Sequence, residues 1–208
     1  MSTWSKNCKK DQPAGSKGMA RNLVFIRHSQ TQPEPGVATR EWQLTAEGHR
    51  RCIPLAAQLA AFNLDRIVTS TERKAIETGQ LAAHKLGIPW WAADGLYEHK
   101  RETAPYFHTI NEFQEAIHAL LTRPAERVFG EETAGQARAR FTKAVRGVMQ
   151  SNPHENIGIV THGTVLSLFV SPLTGEEIFT FWQSLGMPAI VAFLHPSMEL
   201  LAQVNEIF

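Results

Sequence analysis

The chain has 208 residues, 43% of them hydrophobic, enough to bury a sizeable core in a single domain. Twenty-one basic against 20 acidic side chains leave a formal net charge of +1, which gives no reason to expect nucleic acid or a membrane surface as partner. No apolar run reaches the roughly 18 residues of a bilayer span, and Cys8 and Cys52 are too few and too far apart for a disulfide scaffold or a zinc site, so a reduced, cytoplasmic setting is the default.

Residues 1–20 hold Lys, Gly, Ser and Pro with almost nothing to bury. They read as a flexible polar tail, and they lack the apolar centre of a secretory signal. Met19 is a candidate alternative start. The first strand is predicted at 22–27, where the continuous run Leu23-Val24-Phe25-Ile26 ends abruptly on Arg27-His28. A loop rich in Pro and Gly follows. Thr45 is then placed to cap a helix over 46–62 with Leu55, Leu59 and Phe62 on one face, and Pro54 should kink that helix or delay its start.

Residues 65–69 form a second strand. A helix over 71–86 carries Ala75, Thr78, Ala82 and Leu86 on one stripe. The third strand, around 88–93, includes Trp90 and Trp91 as packing residues. The region 98–130 is less regular, with one amphipathic piece, INEFQEAIHALL. A helix over 132–149 follows from Ala134, Ala137, Phe141, Ala144 and Val148 at helical spacing. The run NIGIVTH is a fourth strand ending at His162, with a helix from about 164 and another over 175–185. Strands near 188–194 and 198–204, joined by His-Pro-Ser, read as an antiparallel hairpin at a sheet edge. Strands alternating with helices predict an α/β protein, a three-layer α/β/α sandwich with a mostly parallel central sheet.

In such a sheet ligands bind beyond the carboxyl ends of the strands. Arg27-His28 and Thr161-His162 both stand where a strand spills into a loop, and neighbouring parallel strands would bring them together. Arg27 supplies a permanent planar cation suited to phosphate. Arg73 and Lys74 open the helix after the second strand, where free backbone N–H groups add to the attraction for an anion. With the imidazoles of His28 and His162, the sum is a cationic basket fitted to a phosphoryl group. Nearby positive charge should hold His28 neutral, with a lone pair for attack on phosphorus. The same cations would offset the charge on the transferring oxygens. A leaving alkoxide then needs a proton, best supplied by a carboxylic acid.

These motifs resemble the histidine phosphatase superfamily, also called phosphoglycerate mutase-like, in its small bacterial-type phosphatase branch. The family's Arg-His-Gly signature with a following Thr stands here as Arg27-His28-Ser29-Gln30-Thr31. Its Ser-to-Thr segment matches Ser70, Lys74, Ala75 and Thr78, its later His-Gly matches His162-Gly163, and its acid matches Leu96-Tyr97-Glu98. Trp42, Leu44, Thr45 and Gly48 add a further likeness. The resemblance implies a phosphomonoester hydrolase in which His28 becomes phosphohistidine and Glu98 donates the proton. Arg27, Lys74 and His162 would hold the phosphoryl oxygens, with Arg73, one residue out of register, as the other candidate for the second cation. It implies a small phosphorylated substrate, no cofactor and no metal, and a single domain over 21–208 with 99–130 as a substrate-covering insertion.

Several positions depart from the family pattern. Ser29 replaces a Gly, Lys74 gives up the bidentate geometry of Arg, and Glu34 stands where many members have Asn. Gly163 follows the second His where the acid-phosphatase branch has Asp, which points the proton donor back to Glu98. Arg101 in the variant stretch Glu98-His99-Lys100-Arg101 is placed to reach substrate. Three other readings of the same residues remain. A His–His–Glu metal site would suffer repulsion from Arg27 and Lys74. A phosphoglycerate-type mutase would be expected to carry a longer insertion than 99–130. A catalytically weak phosphate-binding module would account for Ser29 and Lys74.

Overall fold

The computed structural model describes residues 20–208. The readings of the tail, of Met19 and of Cys8 therefore fall outside the described residues, Ala20 excepted. The first strand, β1 (Arg21–Arg27), explains the apolar run: Leu23 to Ile26 are all buried, because both faces of the strand are covered. Leu23 and Phe25 face one core with Ile117, Phe141 and Val165, while Val24 and Ile26 face a second with Leu55, Leu59 and Ala82. Truncating Phe25 to Ala should cost about 3–5 kcal/mol.

Six strands form the sheet in the order β3-β2-β4-β1-β5-β6, where β2 is Arg66–Thr69, β3 Trp90–Ala92, β4 Ile157–Thr161, β5 Ala189–His195 and β6 Glu199–Val204. The first four run parallel, while β5 is antiparallel to β1 and forms the edge hairpin with β6. Helices α1 (Ala46–Leu59) and α2 (Arg73–Leu86) supply the second core. The first core is covered by α3 (Ile110–Thr122), α4 (Ala134–Ser151), α5 (Gly163–Thr174) and α6 (Ile178–Ser184). The three-layer sandwich with a mostly parallel sheet is thus the observed fold.

Local differences have physical reasons. Helix α1 starts on time, its Thr45 cap accepting the Gly48 N–H at 2.9 Å, and it continues through Pro54 because Cys52, Leu55, Ala56 and Leu59 are buried on either side of it. Helix α2 begins at Arg73 rather than at 71, since Glu72 takes the extended conformation of an N-cap. On α4 the buried stripe runs through Val145 and Met149, with Ala144 at its margin. Helix α3 is defined at its start by a reciprocal capping box between Thr109 and Glu112.

Candidate active site

Strand pairing alone brings the histidines together. Arg27 is in register with Thr161, so the residues that follow, His28 and His162, leave the sheet side by side, and the His28 N–H donates to the Thr161 carbonyl at 2.9 Å. The rings lie 5.2 Å apart, centre to centre, at 58°. Strand β2 delivers Ser70 to the same rim, its N–H donating to the Val160 carbonyl. Nδ1 of His28 sits 2.8 Å from the Ser29 carbonyl, which only accepts. Nδ1 therefore carries the proton and Nε2 keeps the lone pair. Ser70 accepts the Glu72 N–H at 3.1 Å, and its hydroxyl is hydrogen-bonded to Nε2 of His162 at 2.8 Å. Nδ1 of His162 is buried without a protein partner.

Ser29, in place of the family's Gly, is fully buried: its N–H donates to the Thr78 hydroxyl and its own hydroxyl donates to the Gly48 carbonyl. The turn therefore has a use for the side chain. Gly163 is needed for a different reason. A Cβ there would lie 3.1 Å from the guanidinium carbon of Arg27, so a larger residue would press on that cation.

The cations sort differently from the sequence expectation. Arg27 donates through Nη1 to the Leu185 carbonyl and keeps a buried Nε with no partner. Lys74 is inside the cluster, 3% exposed, but two of its three ammonium donors go to the Glu72 carboxylate and to the Thr39 carbonyl at 2.7 Å. Arg73 is not brought into the cluster: its half-exposed side chain pairs with Glu77 at 3.0 Å along the outside of α2. Arg101 is brought in. It reaches within 4.0 Å of Glu98, and its Nε and Nη1 are buried and unpartnered. Of the side chains converging here, Arg27 and Arg101 hold uncommitted guanidinium nitrogens.

Two carboxylates line the site, and the sequence reading named only one. Glu98 is buried and accepts the backbone N–H groups of His99 (2.9 Å), Thr164 (3.1 Å) and Val165 (3.2 Å). Glu72 accepts the Glu98 N–H at 2.7 Å, binds Lys74 and approaches Nε2 of His162 at 3.7 Å. Its one sequence signal is that a Glu fills an N-cap position which favours Ser, Thr, Asp or Asn; here the side chain makes no cap bond and turns to Lys74 instead. Arg140, in mid-α4, was also missed. It donates to the carbonyls of Gly95 (2.9 Å), Tyr97 (2.8 Å) and Glu98 (3.0 Å) and to the Glu132 carboxylate, which fixes the segment carrying Glu98.

Burial, with His162, Lys74 and Arg27 close by, pushes the His28 imidazole well below its ordinary 6.5. His162 is lowered in the same way by burial and by Lys74. Burial brings Arg27 down to about 10, still charged at neutral pH. At Glu98 burial favours the neutral acid, but Arg101, His162 and the N–H bonds outweigh it and hold the carboxyl below its ordinary 4.5. The site before substrate arrives is two neutral imidazoles, free guanidinium nitrogens and two ionised carboxylates. Such a set has the chemistry to hold a tetrahedral oxyanion beside a ring nitrogen with a free lone pair. Among the described residues no group of three or more His, Cys, Asp or Glu is arranged to hold a metal ion. Glu72, Glu98 and Arg101 open onto a polar cleft of about 620 Å³.

Comparison with known proteins bears on this arrangement. The profile of the histidine phosphatase superfamily (branch 1) matches residues 23–195. Curated proteins provide no sequence match. Among solved structures, a mycobacterial glucosyl-3-phosphoglycerate phosphatase is similar with TM-score 0.65 and 18% identity, covering 91% of this chain and 99% of that one. A phosphoserine phosphatase from Entamoeba histolytica in complex with 3-phosphoglyceric acid has TM-score 0.68 and 19% identity, with 90% and 96% covered. YhfR of Bacillus stearothermophilus has TM-score 0.66 and 20% identity, with 89% and 96% covered.

Proposed function

The chain belongs to the histidine phosphatase superfamily, and on that premise we propose that it hydrolyses phosphomonoesters through a phosphohistidine on His28. Nε2 of His28 attacks phosphorus as the P–O ester bond breaks, and the leaving alkoxide takes a proton from Glu98. The Glu98 carboxylate then removes a proton from water, the hydroxide attacks phosphorus, and inorganic phosphate leaves with His28 restored. Arg27, Arg101 and the ring of His162 hold the phosphoryl oxygens, and Lys74 acts through Glu72 rather than directly. A phosphate dianion entering beside Glu98 raises its proton affinity, so the carboxyl gains its proton in the complex. No metal enters the cycle. The free, buried Cys52 fits the cytoplasm as the setting.

The observation that carries this reading is the locked His28 ring in one cluster with Arg27, His162 and Glu98, where Arg27 and Arg101 hold guanidinium nitrogens that have no protein partner. The test uses an aryl phosphate and 3-phosphoglycerate, each with and without chelator, on the wild type and on His28→Ala. Phosphate release that survives the chelator, with an acid-labile phosphoenzyme that vanishes in His28→Ala, is expected. Release that needs a metal ion, or a phosphoenzyme that persists in His28→Ala, sinks the reading. Isomerised phosphoglycerate in place of free phosphate would make the protein a mutase.

The neutralisation of Lys74 by Glu72 favours a second reading, a phosphate-binding module with little turnover. Saturable phosphate binding with neither release nor phosphoenzyme would decide for it.

A further inference from the structure

A second cleft, of about 590 Å³, shares Thr39, Arg101 and Glu102 with the polar one. Its chemistry is the opposite. Val37 and Trp42 line it from the loop after β1, and Tyr106, Phe107, Ile110 and Phe113 from the stretch that enters α3. The indole N–H of Trp42 is used on the Val37 carbonyl at 3.1 Å, so the ring offers the groove only carbon. Titratable groups are limited to Arg101, Glu102, His108 and the phenol of Tyr106, and Glu102 is paired with Arg40 at 2.5 Å. Large apolar side chains stand open to solvent here, Ile110 at 75% and Tyr106 at 43%. A concave groove lined mainly by apolar side chains with a few polar groups at one end is the usual form of a small-molecule site.

Arg101 joins the groove to the reaction centre. Its guanidinium lies 5.2 Å from the Phe113 ring centre, while Nη2 reaches towards Glu98. Arg101 lines both clefts, so a phosphoryl group held by it would have the apolar groove within reach of its organic part. The polar cleft suits an acidic leaving group less well. A substrate carboxylate there meets Glu41, Asp94 and Glu102, and of the cations in the lining Arg40 and Arg73 are already paired while Lys100 lies over the Tyr97 ring.

We propose that the groove between the loop after β1 and the start of α3 receives the organic part of the substrate, which makes the substrate class phosphomonoesters of bulky apolar alcohols rather than phosphorylated sugar acids or amino acids. This rests on the hydrolase reading above. The volume is that of a drug-sized apolar ligand, and about 0.8 kcal/mol for each buried methylene supplies the selectivity.

Straight-chain alkyl phosphates from methyl to octyl test the idea, because their leaving groups differ little in basicity and chain length changes only burial. kcat/KM is expected to rise about threefold to fourfold per methylene over the first several carbons, with 3-phosphoglycerate and phosphoserine below the hexyl ester. Ile110→Asp combined with Tyr106→Ser should flatten that slope. A flat series with every ester turned over, or a preference for 3-phosphoglycerate, overturns the groove assignment and leaves the hydrolase reading standing. If no ester turns over, the hydrolase reading fails, and calorimetric affinities of the same series decide: rising affinity with chain length supports the groove and a flat series refutes it. A flat series together with self-association that Ile110→Asp abolishes would give the patch to a second copy of the chain and overturn the proposal.

Discussion

Around His28 and His162 the side chains are buried and held by hydrogen bonds, with unpartnered nitrogens left on Arg27, Arg101 and His162, whereas the stretch 101–113 leaves Tyr106 and Ile110 open to water and is lined mainly by carbon. Both regions lie beyond the same strand ends, and Arg101 belongs to each. In the buried region a lost partner strands a charge in a dry setting, so substitution there is expensive and the chemistry is hard to alter. In the open region a side chain is exchanged at little cost to the fold, so selectivity adapts while the mechanism stays. The largest expected effects therefore belong to the first region and the smallest to the second.

Glu98→Gln tests the buried region most severely. The amide preserves shape but donates no proton at the right step, so turnover of an alkyl phosphate should fall about 100- to 10,000-fold. A nitrophenyl phosphate, whose leaving group departs without a proton, should lose far less. Equal losses on the two esters would remove Glu98 from the proton-donor role.

Arg140→Met tests whether that acid is held from behind. The substitution strands the Glu132 carboxylate, only 10% exposed, and frees three carbonyls of the segment 95–98. About 3–5 kcal/mol of stability should be lost in denaturant titration, because a buried charge loses its partner. A stability change under about 1 kcal/mol would mean that the segment stands without Arg140.

These residues also mark how far the sequence could be read. The ends of β1 and β4 were legible because two apolar runs each stop on a His, and the Ser70-to-Thr78 segment and Glu98 stand between them in the order that the family resemblance requires. The three layers and the mostly parallel sheet followed from the alternation of elements, whereas the strand order came only with the structure. Glu72, Arg140 and the true partner of Lys74 were not legible, since each depends on a backbone turn or a contact distant in the chain. Glu72 reaches Lys74, two residues away, only because the N-cap is extended there, and Arg140 meets Tyr97 across 43 residues. Arg73 and Lys74 as neighbouring cations gave no hint that one would face Glu77 outside and the other Glu72 within.

Arg101→Met acts on the residue the two regions share. Loss of a charged contact to phosphate should lower kcat/KM about 10- to 100-fold. The pH profile gives the sharper readout. Arg101 is the chief charge holding the Glu98 carboxyl below its ordinary value. Removing it raises the Glu98 pKa, so the protonated acid survives to higher pH and the alkaline limb of kcat/KM moves upward. His28, kept neutral by burial, His162, Lys74 and Arg27, leaves the acid limb in place. An alkaline limb that stays put, or moves down, would show that Arg101 does not govern the acid.

Ile110→Asp carries the smallest expected effect and bears most directly on the contrast. Ile110 is the first residue of α3 and is three-quarters exposed, so its removal forfeits little burial. A carboxylate there sits at the positive end of the helix dipole, which is favourable by about 0.3–1 kcal/mol. The stability change should therefore stay within about 0.5 kcal/mol in either direction, while the chain-length preference weakens. A loss above about 1 kcal/mol would make Ile110 a strut for the capping turn at Thr109. The open region would then be part of the folded frame, and a wall that the fold depends on could not be varied to suit the substrate.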